Sequence, residues 1–196
     1  MKLERASAKA VKYAIMNWHY SKAVPSVSLS FAVFNNDDSF CGVICYGLGA
    51  THNIGKPFGL QNGQCIELVR VALNGQAKTS KAVSLSLKLL KKYSPLVKLI
   101  VSYADSEQGH TGVIYQATNW YYVGSSVDTN IIVNGKRYHR RSLGSKYGTN
   151  SVNKLKTLGL NVGDVVKTKP KHKYIYPIDK SLIPMCKELA KPYPKN

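Results

Sequence analysis

Acidic residues are scarce in this chain: ten Asp and Glu stand against 28 Lys and Arg in 196 residues, a formal net charge of +18. Long hydrophobic runs are missing too, since nothing approaches the roughly 18 apolar residues a membrane-spanning helix needs. The opening MKLERASAKAVKYAIMNWHY carries Glu4 and polar side chains where a secretory leader would carry its apolar stretch. C-x-x-C pairs, internal repeats and low-complexity tracts are absent, which argues against a zinc ribbon or a solenoid. Hydrophobic residues make up 44%, too many for a disordered polycation. The expectation is a soluble, non-exported, cytoplasmic chain with no membrane contact and one domain's worth of core.

The charge excess speaks to partners and not to fold. Thirteen tyrosines accompany it, several interleaved with Lys and Arg, as on a surface that contacts phosphates and stacks bases. Nucleic acid is therefore the first partner to expect. Cys41, Cys45, Cys65 and Cys186 read as buried, reduced thiols. Strand alternation places Cys41 and Cys45 on one face.

Hydrophobic periodicity predicts a helix over 6–16, strands over 28–34 and 40–48, and a hairpin turn at Asn35–Asp38. A glycine-rich stretch follows, then a strand over 65–73 and a helix over 81–92 that Pro95 stops. A continuous apolar strand over 96–103, a helix over 111–118 and a strand over 120–124 complete an α/β pattern: a central mixed sheet flanked by helices. Residues 1–124 form the expected catalytic core. Residues 125–196 form an extension packed on it, with 15 Lys and Arg against four acids. Within it, Asn134-Gly135 between strand-like runs signals a hairpin. Lys136, Arg137, Arg140, Arg141, Lys169, Lys171 and Lys173 are its candidate phosphate contacts, although each singly also reads as a solvated charge.

The order of parts from Cys65 to Gly124 resembles acyl-CoA N-acyltransferases of the GNAT superfamily. In that scheme Asn74–Ser80 offers the cofactor loop, with Gly75, Lys78 and Ser80 as candidate contacts to a CoA pyrophosphate. Gly75 is its only glycine, a departure from the superfamily's usual loop, and an ordinary polar connection fits equally.

Four stretches carry a narrower likeness: Asn17-Trp18-His19-Tyr20-Ser21, Ile66-Glu67-Leu68-Val69-Arg70, Ser102-Tyr103-Ala104-Asp105, and the long run from Gly109 to Gly124. Together they resemble the Mom family of bacteriophage DNA-modification proteins, which are GNAT-like. The resemblance implies addition of a carbamoylmethyl (acetamido) group to the exocyclic N6 amine of adenine in double-stranded DNA, protecting phage DNA from host restriction endonucleases. It also implies bound iron, with His19, Tyr20 and Asp105 at the family's ligand positions. Acetyl-CoA or a related small-molecule donor follows from the fold. Plain acetyl transfer would not give an acetamido product, so a new bond at the acetyl methyl carbon or a different donor is required. The oligomeric state stays open, a homodimer included.

Considered by themselves, the same residues admit two kinds of role. Glu67 and Arg70, three apart on a strand, fall on opposite faces. Glu67 can act as a base toward the weakly nucleophilic amine and Arg70 can grip an anion, or each can pair with a neighbouring strand. Tyr115 can protonate a leaving group or simply pack, and Asp105 ends a strand where ligands bind in open α/β sheets. His19 caps a helix end or binds metal. Trp18, Tyr20 and the Trp120–Tyr122 run offer walls for an extruded base. An ordinary N-acetyltransferase acting on a protein or tRNA amine, and a non-catalytic DNA-binding protein on the same scaffold, are the competing functions.

Overall fold

The computed structural model describes residues 1–49 and 53–195, without the side chain of Arg141, so the middle of the glycine-rich stretch lies outside the described residues. Strand β1 (Lys2–Arg5) leads into helix α1 (Ala8–Trp18). Ser7 caps that helix by accepting from the Ala10 N–H at 3.2 Å. The hairpin of β2 (Leu29–Phe34) and β3 (Phe40–Gly47) follows, and then β4 (Cys65–Leu73) and α2 (Thr79–Tyr93). Next come β5 (Leu99–Asp105), the single turn α3 (Val113–Gln116) and β6 (Tyr121–Ser126). The remainder forms β7 (Thr129–Val133), β8 (Lys136–His139), α4 (Arg140–Tyr147), α5 (Val152–Thr157), β9 (Val162–Lys167), β10 (Lys171–Pro177) and α6 (Ile183–Leu189).

Among the described residues, one seven-stranded sheet runs β1-β2-β3-β4-β5-β10-β6 and one three-stranded sheet runs β8-β7-β9. The first is mixed, with β1 through β4 antiparallel and β4 parallel to β5, so the expected α/β class is found. Helix α1 buries Val11, Ala14 and Ile15 against Val43, Cys45 and Ala72 on one face of the sheet. Helix α2 buries Val83, Leu87 and Leu90 among Phe31, Ile44, Ile66 and Ile100 on the other. No helix among the described residues is long and apolar enough to cross a membrane.

Several boundaries differ from expectation for identifiable reasons. β1 is a short, mostly exposed edge strand whose polar sequence KLER gives no periodic signal. The helix expected over 111–118 shrinks to one turn between Gly112 (φ 86°) and Asn119 (φ 61°), both left-handed. Pro95 and Leu96 stay in the connection before β5, with Leu96 75% exposed.

The chain separates into two compact units, and the boundary is not the single cut expected after residue 124. The first comprises residues 1–104, 111–124 and 172–196; the second comprises 105–110 and 125–171. Residues 172–196 return to the main sheet because β10 places Tyr174 and Ile175, both fully buried, in its core. The second unit has its own small core of Ile131, Val133, Leu143 and Leu155. Its β7–β8 hairpin closes as expected: Val133 pairs with Lys136 across Asn134 (φ 50°) and Gly135 (φ 73°), both left-handed as a type I′ turn requires.

All four cysteines are free and buried, but Cys41 and Cys45 lie on opposite faces. Cys41 packs with Ile44 and Tyr46, and Cys45 packs with Val43. A bulge causes the inversion: Val33 pairs with Gly42 and Phe34 with Phe40, so one residue of β3 is extra. Gly42 adopts φ 133°, and a Cβ there would sit 2.0 Å from the Ala72 carbonyl oxygen. Gly42→Ala should therefore destabilise the protein by about 2 kcal/mol or more, read as a lower urea-unfolding midpoint.

Candidate active site

The site in the first unit is built where β4 and β5 part. Their parallel pairing covers only Cys65–Glu67 with Leu99–Val101. Continuing that register would pair Leu68 with Ser102. Instead the Ser102 hydroxyl takes the Leu68 carbonyl at 2.9 Å and lies 2.8 Å from the Tyr115 hydroxyl. Ser102 has one proton, which it divides between the Leu68 carbonyl and the Tyr115 oxygen. Ser102 is 1% exposed and Tyr115 7%, so the relay is dry.

Burial pushes the Tyr115 phenol up to about 12. The Ser102 hydrogen bond opposes that shift, while the Glu67 carboxylate, Tyr20 and Tyr174 add to it. Glu67 and Tyr20, two of the expected site residues, thus each act electrostatically on Tyr115. Tyr115 is held from beneath: its ring lies 4.9 Å from Tyr174 and 5.1 Å from Trp120. Tyr174 in turn sits on Gly112, where a Cβ would come within 2.4 Å of its ring.

Glu67 and Arg70 lie on the same face of β4, contrary to expectation. Cys45 pairs with Arg70 and Tyr46 with Leu68, leaving Val69 as the extra residue of a bulge. Ile66 and Leu68 accordingly pack in one layer with Val71 and Leu73, and Glu67 and Arg70 face the other way. Glu67 lies over Gly49 (φ 70°), where a Cβ would fall 2.3 Å from its Oε2. Arg70 is an internal brace. It donates to the Val69 carbonyl at 2.7 Å and to the Ala23 carbonyl at 3.4 Å, tying down the loop after α1. Its Nε is buried without a partner among the described residues.

That loop carries His19 and Tyr20. His19 is the C-cap of α1, and its backbone N–H reaches the Ile15 carbonyl at 3.2 Å. Its Nδ1 accepts from the Ser21 N–H at 3.1 Å and lies 2.9 Å from the Ser21 hydroxyl. A backbone N–H can only donate, so in the neutral ring the proton sits on Nε2. The imidazole stacks on Tyr20, with centroids 4.4 Å apart and planes 28° from parallel. Trp18 turns away into the α1 layer, against Tyr13 and Phe40.

The candidate cofactor loop runs from Asn74 to Lys78 and opens α2. Asn74 accepts from the Gln76 N–H at 3.1 Å. Lys78 takes the N-cap position without a side-chain cap, Ser80 lies in the first turn, and no acid is present there. Gly75 adopts φ 87° with nothing within 4 Å of a Cβ, so the loop backbone is open on that side.

The second unit holds Asp105 and most of the expected phosphate contacts. Asp105 ends β5, and its Oδ1 accepts from the Glu107 N–H at 3.0 Å. Arg137 pairs with Glu107 at 3.3 Å, Arg140 Nε donates to Thr129 at 2.8 Å, and Lys171 lies 3.9 Å from Asp128. Lys136 and Lys169 have exposed side chains, whereas that of Arg141 lies outside the described residues. In the first unit, Lys173 is half-buried with its ammonium 4.8 Å from the Phe58 ring, and desolvation lowers its pKa.

Sequence reasoning passed over Ser102, Gly49 and Tyr174. The available signal was Ser102 itself, a lone hydroxyl in an apolar strand, which must find a partner when buried. An unfolded tyrosine ionises near pH 10 and folded Tyr115 only at about 12, so the unfolded chain releases that proton first. Stability contributed by the neutral phenol is intact below pH 10 and falls as pH rises toward 12, by up to about 3 kcal/mol. Urea unfolding across this range should show Tyr115→Phe with a shallower alkaline decline than the parent.

Comparison with known proteins places this geometry. A "spermidine N-acetyltransferase" of Vibrio cholerae superposes with a TM-score of 0.53 at 10% identity, covering 94% of this chain and 99% of that one. A Bacillus subtilis acetyltransferase solved with CoA gives 0.51 at 11% identity, covering 90% and 97%. These likenesses establish the acetyltransferase-type fold. The "Methylcarbamoylase mom" of Escherichia phage Mu is 31% identical over 145 residues, which span 71% of this chain and 60% of that protein. The Mom protein family model matches residues 1–195, and the chain belongs to the Mom family.

Proposed function

We propose that the protein transfers a carbamoylmethyl group to the N6 amine of adenine in double-stranded DNA, so that phage DNA escapes host restriction endonucleases. The Ser102–Tyr115 contact at the parting of β4 and β5, with the phenol kept protonated by burial, carries this reading. The adenine amine is a poor nucleophile because its lone pair is delocalised into the ring. With a carbamoylmethyl thioether as donor, Glu67 accepts the amine proton as the N–C bond to the methylene carbon forms and that carbon's bond to sulfur breaks. Tyr115, still protonated at neutral pH, gives its proton to the departing part of the donor. Ser102 holds the phenol in line. The amine thus loses one proton, and the departing group gains one.

A CoA-type carrier fits the α2 end of the site. The first-turn N–H groups there have no side-chain cap, Lys78 and Ser80 are at hand, and Gly75 leaves the loop backbone approachable. Those residues would hold a pyrophosphate, and the carrier would supply a leaving sulfur. Iron, which the resemblance implies, does not fit His19 as folded: its Nδ1 accepts from the Ser21 N–H, so in the neutral ring the other nitrogen carries the proton.

DNA is the proposed acceptor, and Lys136 and Lys169 are its proposed phosphate contacts in the second unit. Replacing both by Ala should lower the slope of log affinity against log salt by about 2, measured by fluorescence anisotropy on a duplex. For the chemistry, the protein is expressed in a bacterial host and the DNA digested to nucleosides for mass spectrometry. A deoxyadenosine heavier by one carbamoylmethyl group is expected. Glu67→Gln and Tyr115→Phe should each slow its formation by about 100- to 10,000-fold. An acetyl adduct alone, or unchanged nucleosides, rejects the reading.

A further inference from the structure

We propose that the first unit carries a further binding site, a basic cleft at the far end of α2 that takes a nucleoside phosphate. It includes none of the candidate catalytic residues, and it does not depend on the transfer reading.

The cleft has a volume of about 360 Å³, within the range typical of small-molecule sites. One wall comes from a single face of α2, where Ser84, Lys88 and Lys91 recur at i, i+4 and i+7. The other comes from the end of β10 and the chain leading into α6, with Tyr176, Ile178 and Lys180. Both walls belong to the first unit. They are ordered in advance: the Ile178 and Asp179 N–H groups both donate to the Lys98 carbonyl, at 2.8 and 3.0 Å.

The lining joins positive charge to an apolar floor. Among the described residues it includes three lysines and no acid. Asp179, beside the cleft, accepts from the Ser181 N–H at 3.0 Å and acts electrostatically on Lys91, so part of that one charge is balanced. Lys88 and Lys180 are exposed and make no ion pair among the described residues. A phosphate ester relieves the mutual repulsion of such cations and offers acceptor oxygens to their ammonium groups. Between the lysines, Leu87 is buried and Tyr176 half-buried, its ring backed by Trp120 at 5.5 Å. An inorganic anion uses the lysines alone, whereas a nucleoside also covers the apolar floor and the ring. The candidate carrier loop is a different place. Lys78 caps the start of α2 and Lys91 lies in its last turn, about 20 Å away at 1.5 Å per residue.

The test titrates the full chain with dAMP and with inorganic phosphate, taking affinity from the backbone amide NMR shifts of Ile178 and Ile183. The rest of each spectrum reports whether a variant is folded. The parent should bind dAMP at least about 5-fold more tightly than phosphate. Replacing Lys88 and Lys180 together by Ala should weaken dAMP about 10-fold or more, while these shifts persist in Lys78→Ala. Tyr176→Leu keeps apolar bulk and should bring dAMP down to the affinity of phosphate. A single-stranded oligodeoxyadenylate that displaces dAMP assigns the site to a DNA strand, and one that fails to assigns it to a free nucleotide; either upholds the site. Phosphate binding as tightly as dAMP, or an unchanged dAMP affinity in the double lysine variant, overturns it. None of these readouts requires transfer, so failure to form a modified nucleoside rejects the transfer reading alone.

Discussion

The site depends on one hydrogen bond that replaces another. Two parallel strands in register would continue their ladder from Glu67 and Val101 to Leu68 and Ser102. The Ser102 side chain takes the Leu68 carbonyl instead, at 2.9 Å. A buried carbonyl left open would cost about 1–3 kcal/mol, so the strands can part only if something fills that place. The group that fills it also reaches the Tyr115 hydroxyl oxygen. Separation of the strands and orientation of the phenol are therefore one structural event.

Two irregularities set the direction of Glu67 and Arg70. The extra residue at Val69 turns Glu67 and Arg70 toward the same face, although a regular strand would oppose them. Gly49 then lets the Glu67 carboxylate lie against the backbone, a position that any side chain at 49 would occupy. Bulges beside active sites commonly re-aim a side chain in this way. Arg70 becomes a brace for the loop bearing His19 and Tyr20, and so acts on the site through that loop.

The fold was largely legible because its long elements obey simple periods. β4 was read to its observed ends, and α2 to within two residues, from apolar spacing alone. What periodicity cannot show is a one-residue insertion in a strand, since the bulges at Gly42 and Val69 leave composition unchanged. Both misplaced faces, Cys41 against Cys45 and Glu67 against Arg70, trace to that blindness. The return of 172–196 to the first unit was hidden for a different reason. KHKYIYP looks like a basic-aromatic surface strand, yet Tyr174 and Ile175 are fully buried while the lysines beside them keep their heads near the surface.

Charge counting had the same kind of limit in the second unit. A sequence rich in Lys and Arg suggests phosphate contacts, but the few acids are placed to engage particular cations. Glu107 takes Arg137 and the Lys169 backbone N–H, and Asp128 faces both His139 and Lys171. An arginine already committed to a carboxylate must break that pair before it can serve a phosphate. The exchange of one anion for another gains less than capture of a solvated cation. Scarce acids thus sort the basic residues into those that hold the small unit together and those, such as Lys136, left to meet a polyanion. Net charge sets the attraction to a polyanion, and the positions of four carboxylates in that unit decide which side chains express it.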